Sequence, residues 1–159
     1  MHKDVRAFIE RSGLLWEKDR LPRIAGRIFG LTLISPDPCS LDEIAKTLGV
    51  SRASISNDAR LLEGLGFVER VSISGDRRVY FQITKQSLER SIEKRVERIR
   101  ELRDLMDDAT RLPIRRAEVL ERIEVHRLAF GSVASALGKA LTQLKARRTS
   151  PPNRRNKRT

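Results

Sequence analysis

Bond-making chemistry has little to draw on in this chain of 159 residues. One cysteine, Cys39, and two histidines, His2 and His126, are too few for a disulfide framework or a structural zinc site. His126 has no second ligand within helical reach, and the pair Asp107-Asp108 lies at a helix end in a charged, solvated segment. Cys39 precedes a helix N-terminus, where a thiolate is favoured, although a filling role in a loop accounts for it as well. The sequence therefore predicts no catalytic residue, no metal and no cofactor.

Recognition chemistry is better supplied. Ser51, Arg52, Ala53, Ser54, Ser56, Asn57 and Arg60 fall within ten residues. On a helix centred inward on Ile55, Ala53, Asn57, Arg60 and Gly64 face outward, flanked by Ser54 and Ser56. Small residues followed by an amide and a guanidinium suit entry into a major groove. There arginine can bond bidentately to guanine and asparagine to adenine. Arg52 and the free N–H groups at Ser51 are better matched to phosphates. An ordinary solvated helix face has the same composition, so this segment alone leaves both readings open. A second group, Gly75, Asp76, Arg77 and Arg78, offers guanidinium groups at a turn, with Asp76 able to fix a neighbouring arginine.

The elements that must position these groups are legible. Val5, Phe8, Ile9, Ser12 and Trp16 share a helical face over residues 3–17. Pro22 fits the first turn of a second helix reaching Leu33 or Ile34, in which Gly26 and Gly30 permit a neighbouring helix to approach closely. Ser35-Pro36-Asp37-Pro38-Cys39 reads as a loop. Ser40-Leu41-Asp42-Glu43 is a capping box opening a short helix with Leu41, Ile44, Ala45 and Leu48 inward. Gly49 stops that helix and Ser51 caps the next, which presents Ile55, Ala59 and Leu62 inward. The period then becomes two, through Val71 and Ile73, then Val79, Phe81 and Ile83, around the basic tip Ser74–Arg78. Helix-turn-helix followed by a hairpin gives a mainly α fold (α+β) of the winged-helix type.

From Lys85 the helical period returns. Leu88, Ile92, Arg95, Ile99, Leu102 and Met106 form a heptad seam. After Leu112-Pro113 a second seam runs through Leu120, Ile123, Arg127, Phe130, Ala134, Leu137, Leu141 and Leu144. Arg95 and Arg127 either set register or show that the true stripes lean onto Val96 and Leu128. A second helix of roughly 30 residues, about 45 Å long, needs a partner surface. Self-association through Leu120, Ile123, Phe130, Leu137, Leu141 and Leu144 is the economical source. The expected organisation is a packing helix over 1–19, a winged helix-turn-helix over 20–84, dimerisation helices over 85–147 and a disordered basic tail over 148–159.

Charge supports a polyanionic partner. The net charge is +12, with 13 basic against 11 acidic residues in 1–84, 13 against 10 in 85–144, and seven against none in 145–159. Specificity must then come from a few placed residues while the tail adds general affinity. No apolar run of about 20 residues is present and the start lacks a signal-peptide pattern, so neither a membrane span nor a membrane partner is expected.

The runs Leu21-Pro22-Arg23-Ile24-Ala25-Gly26-Arg27-Ile28-Phe29-Gly30, Ser40-Leu41-Asp42-Glu43-Ile44-Ala45 and Gly49-Val50-Ser51-Arg52 resemble the GbsR-type branch of MarR transcription regulators. So do Arg60-Leu61-Leu62-Glu63, Gly66-Phe67-Val68-Glu69-Arg70-Val71 and Gly75-Asp76-Arg77-Arg78-Val79-Tyr80. The resemblance is close over about 5–84 and covers the C-terminal helices only by length and pattern. It implies a cytoplasmic homodimer of bacterial or archaeal type, usually a repressor, whose two winged helices read a pseudo-palindrome in double-stranded DNA. It also implies that the helix from Ser51 is the recognition helix and that Arg78 of Asp76-x-Arg78 reaches the minor groove. Some members release DNA on binding a small effector. Phe8, Trp16 and Phe29 are candidates to line such a pocket, with aromatic core packing as the plainer account. The arginine-rich tail departs from the family pattern. A different class, a winged-helix protein-interaction module whose tail binds RNA or an acidic surface, fits the same composition.

Overall fold

The computed structural model describes residues 1–149. The basic tail expected over 148–159 thus lies outside the described residues, apart from its first two positions. The elements are α1 (Lys3–Lys18), α2 (Arg23–Ile34), β1 (Cys39–Ser40), α3 (Leu41–Leu48), α4 (Arg52–Gly64), β2 (Glu69–Val71), β3 (Tyr80–Gln82), α5 (Lys85–Thr110) and α6 (Ala117–Thr149).

Local sequence accounts for most boundaries. The capping box at α3 is complete: Ser40 N–H donates to Glu43 Oε2 at 2.8 Å and Glu43 N–H to Ser40 Oγ at 3.2 Å. Gly49 ends α3 in the left-handed region at φ 65°, where a β-carbon would be strained. Helices α1 and α2 meet at their glycines. A β-carbon on Gly26 would lie 2.7 Å from Trp16 Cβ and 2.8 Å from Gly13 Cα, and one on Gly30 would lie 2.9 Å from Ser12 Cβ. Ser12 Oγ seals this crossing by donating to the Gly26 carbonyl at 2.7 Å. Ile9, Ile28, Ile44, Ile55 and Leu62 form the centre of the core beneath α4.

Four features differ from the sequence reading. The loop expected over 35–39 ends in a strand: Cys39 pairs with Phe81 and Ser40 with Tyr80, making an antiparallel sheet ordered β1-β3-β2. The hairpin strands are three residues each, so Ile73 lies beyond the ladder and is exposed. Phe8 is 42% exposed, because α1 turns Ile9, Ser12 and Gly13 toward α2 instead. On α5 the buried positions are Ser87, Glu89, Ser91 and Val96, with Leu88 outward. Close approach accounts for Ser91: a β-carbon on Gly66, at φ 82°, would lie 2.9 Å from Ser91 N and 3.1 Å from Ser91 Cα, so the α5 backbone itself lies against Gly66 at this point. Of the two alternative stripe positions, Val96 is buried and Leu128 is exposed.

The chain forms two compact units that meet in sequence at Ser91/Ile92, inside α5. The first turns of α5 belong with the wing because Glu69 of β2 accepts bonds from Thr84 Oγ1 and from Ser87 Oγ at 3.1 Å, and pairs with Arg90 at 3.1 Å.

Candidate nucleic-acid interface

Helix α4 is anchored on one side and bare on the other. Ile55, Ala59 and Leu62 are fully buried, which leaves Ser51, Arg52, Ala53, Asn57 and Arg60 exposed, with Ser54 and Ser56 half-buried at the flanks. Ser51 caps the helix by accepting from Ser54 N–H at 3.3 Å. The remaining N–H groups of the first turn carry the positive end of the helix dipole. Arg52 Nε lies 3.4 Å from Asp42 Oδ1, an exposed pair that a stronger anion can displace. Among the described residues, neither Asn57 nor Arg60 has a side-chain hydrogen bond or ion pair. Beside them, Asp58 is held above the usual carboxylate range by burial.

The wing is ordered by one carboxylate. Gly75 turns the chain at φ 81°, and Asp76 then accepts from Arg78 N–H at 2.9 Å, from its Nε at 2.9 Å and from its Nη2 at 2.7 Å. Tyr80 OH donates to Asp76 Oδ2 at 2.6 Å, and the Arg78 guanidinium lies over the Tyr80 ring at 5.2 Å. The Arg78 bonds first, and the Tyr80 bond second, hold the Asp76 carboxyl far below the usual carboxylate range. The same bond to Asp76 raises the Tyr80 hydroxyl. Glu43 Oε1 approaches Arg78 Nη1 at 3.8 Å, so the residue that caps α3 also faces the wing arginine. Its carboxyl is lowered chiefly by the Ser40 backbone bond. Arg77 is exposed and, among the described residues, has no ion pair.

Sequence reasoning singled out the Asp76–Arg78 pair and missed its supports, Tyr80 and Glu43. The spacing of Tyr80, four residues after Asp76 across a turn, was the available signal. Trp16 and Phe29 pack at 5.3 Å with their rings tilted by 37°, and both meet Phe67, a third ring, edge-on at 5.0 and 5.6 Å. Phe8 lies outside this cluster.

The sequence model of the MarR family matches residues 21–79, the segment that holds this helix-turn-helix and its clamped arginine wing. A solved crystal structure of a transcriptional regulator superposes with a TM-score of 0.82 at 31% identity, covering 90% of this chain and 99% of that one. The chain belongs to the MarR family. Another relative, the HTH-type transcriptional regulator MmpR5 of Mycobacterium tuberculosis (strain ATCC 25618 / H37Rv), is 37% identical over 105 residues. That alignment spans 65% of this chain and 64% of MmpR5. The MarR-family match runs from the start of α2 to the start of β3, so it contains α4 and the wing tip in full. Among the described residues no helix is long and apolar enough to cross a membrane, and no group of ligands could hold a metal ion.

Proposed function

We propose that the chain is a sequence-specific DNA-binding transcription regulator, a homodimeric repressor that reads a pseudo-palindromic operator. Helix α4 enters the major groove, and the wing over 74–78 lies on the minor groove or backbone. One observation carries this reading: Asn57 and Arg60 stand exposed and unpaired opposite the buried anchors of α4. An amide and a guanidinium with no structural work to do are what base-edge contact requires. The clamped Arg78 supports it, since a guanidinium held in one orientation loses little freedom on meeting phosphates or a narrow minor groove. The regulators to which the chain is similar support it too. The run Leu21–Gly30, whose glycines make the α1–α2 crossing, supports placing the chain in the GbsR-type branch.

Selection of bound duplexes from a random pool by the purified full chain tests the proposal. The expected product is an inverted repeat with half-sites about 10 base pairs apart, or a multiple of that. If the dimer neutralises about eight phosphates, log K falls against log salt with a slope near −7. A pool that emerges unenriched overturns the reading.

A further inference from the structure

From Ile24 to Ile34, helix α2 carries a single charged residue, Arg27, and its side chain is only 19% exposed. A charge so placed is costly unless its partners are fixed. Those partners lie on two other helices. Arg27 Nε is 2.8 Å from Glu10 Oε1 of α1, an ion pair without hydrogen-bond alignment, and Nη2 donates to the Leu48 carbonyl of α3 at 2.9 Å. Glu10 Oε2 also accepts from Arg23 Nη2 at 3.1 Å. Helix α1 leaves room for this arrangement at Gly13, where a β-carbon would lie 2.8 Å from Arg27 Cγ and 3.0 Å from the Arg23 carbonyl. Glycine weakens a helix interior, and the passage of the Arg27 stem accounts for it here.

Leu48 is the last residue of α3, and its carbonyl is one of those that a helix end leaves without an intrahelical donor. The Arg27 guanidinium supplies that donor and meets the negative end of the α3 dipole. Gly49 and Val50 both donate to the Ala45 carbonyl, which closes the turn, and Ser51 then caps α4. With only residues 49–51 between the two helices, the direction of the turn sets the direction of α4. Among the described residues, the Arg27 bond is the one side-chain hydrogen bond that residues 48–50 receive. Beside it, α1 and the end of α3 face each other across a recess of about 240 Å³. The charged side chains lining that recess are Arg6, Glu10, Arg27 and Lys46, so no second carboxylate there competes with Glu10 for Arg27.

We propose that Arg27 is a positioning residue for DNA recognition: held by Glu10, it fixes the Leu48 carbonyl and, through the turn 49–51, the angle at which α4 meets the major groove. The proposal rests on the reading of α4 as the recognition helix. Ile55, Ala59 and Leu62 hold α4 against the core, but apolar contact is non-directional and leaves tilt and slide loosely set. A hydrogen bond at the turn has direction. Arg27 itself needs no contact with DNA. Its planar fork reaches a carboxylate on one helix and a carbonyl on another at the same time, which a lysine ammonium reproduces only in part.

Arg27→Met, Arg27→Lys and Glu10→Gln in the full chain test this on the operator obtained by selection. Methionine keeps an apolar stem over Gly13 and leaves Glu10 paired with Arg23. Urea denaturation defines conditions in which each variant is folded, and fluorescence anisotropy then measures binding to the operator and to a random duplex. Arg27→Met is expected to bind the operator about tenfold more weakly. Its binding to a random duplex, which rests on charge, should fall by no more than about twofold. Arg27→Lys keeps the charge and should lose a few-fold on the operator alone. Amide exchange at Gly49, Val50 and Ser51 should speed up in both, with Tyr80–Gln82 unchanged. Adding Glu10→Gln to Arg27→Met should bring no further loss, because Glu10 acts through Arg27. A purely structural role lowers stability in urea and leaves the ratio of operator to random binding at its wild-type value; that result overturns the proposal. Additive losses in the double variant overturn it as well. Should Arg27→Met fail to fold, the same ratio in Arg27→Lys decides. A wild-type chain that prefers no duplex overturns the α4 reading together with this one, whereas a wild-type preference kept in Arg27→Met overturns this one alone.

Discussion

The Tyr80 hydroxyl donates to Asp76 Oδ2 at 2.6 Å, and that same oxygen accepts from Arg78 Nη2 at 2.7 Å. Tyrosine and arginine thus share one carboxylate, and the ring lies beneath the guanidinium. Removing the hydroxyl should loosen the wing without removing its charge. Tyr80→Phe is expected to weaken DNA binding a few-fold, about 0.5–1.5 kcal/mol for one lost hydrogen bond. The preferred sequence should stay the same. Fluorescence anisotropy on the selected operator measures the first quantity, and a base-substitution profile measures the second.

The wing and the recognition helix should separate in such profiles. Arg60→Ala and Asn57→Ala are expected to relax specificity by roughly 1–3 kcal/mol at single base pairs. Arg77→Ala and Arg78→Ala should weaken binding to all sequences more evenly and reduce the salt slope by about one unit per lost phosphate contact. An Arg60→Ala profile indistinguishable from wild type would remove α4 from the major groove.

The two carboxylates nearest the interface should titrate in opposite directions from the ordinary range. Asp76 is lowered by Arg78 and then Tyr80, whereas Asp58 is raised by burial. A carboxyl lowered on folding contributes stability that is present above its unfolded pKa, about 3.9, and is lost as pH falls through the folded value. The wing clamp is therefore expected to stay intact from neutral pH down through pH 4 and to open only in stronger acid. Carboxyl carbon NMR should place the Asp76 midpoint well below that of Asp58. The reverse order would mean that the clamp does not form in solution.

Glycine substitutions should split by what a β-carbon would meet. Gly26→Ala and Gly30→Ala push into α1 at under 3 Å and are expected to cost about 1–3 kcal/mol, read as a lowered Tm. Gly64→Ala meets nothing within 4 Å and is expected to be neutral or to stabilise by up to about 1 kcal/mol. Equal effects at Gly26 and Gly64 would contradict the tight α1–α2 crossing.

These contrasts show what the sequence could and could not reveal. The capping box at Ser40, the stop at Gly49 and the inward set Ile55, Ala59 and Leu62 are written in adjacent residues, because caps and helical faces are local. The approach at Gly26 and Gly30 was visible because two glycines in a helix need a reason. Strand β1 was hidden because two residues next to Pro36 and Pro38 carry no period, and their pairing with Phe81 and Tyr80 spans about forty positions. The seam on α5 misled at Leu88 because hydrophobic periodicity scores serine as outward. Here Ser87 and Ser91 are buried by hydrogen bonding and close backbone contact, not by apolar packing. Tyr80 and Glu43 escaped notice because each already had a complete local role, as a strand residue and as a helix cap.

The junction of wing and α5 yields the last test. Glu69, 15% exposed at its side chain, accepts from Thr84 Oγ1 and Ser87 Oγ and pairs with Arg90, so three groups at the start of α5 depend on one strand carboxylate. Glu69→Ala removes their shared partner and leaves the largely buried Ser87 hydroxyl without it, at an expected cost of about 1–3 kcal/mol in urea denaturation. Ser87→Ala alone removes a smaller part. In the double variant the two costs should fall short of additive by about 0.5 kcal/mol or more, since Glu69→Ala has already removed the Ser87–Glu69 bond and leaves the serine chiefly the bond that it accepts from Thr84 N–H at 2.9 Å. Hydrogen exchange should speed up first at the opening turns of α5, ahead of α4, because those turns are held by this carboxylate and by Gly66. Additive costs, or exchange spread evenly over the unit, would mean that Glu69 is an ordinary surface charge and that the wing and α5 are joined by chain connectivity alone.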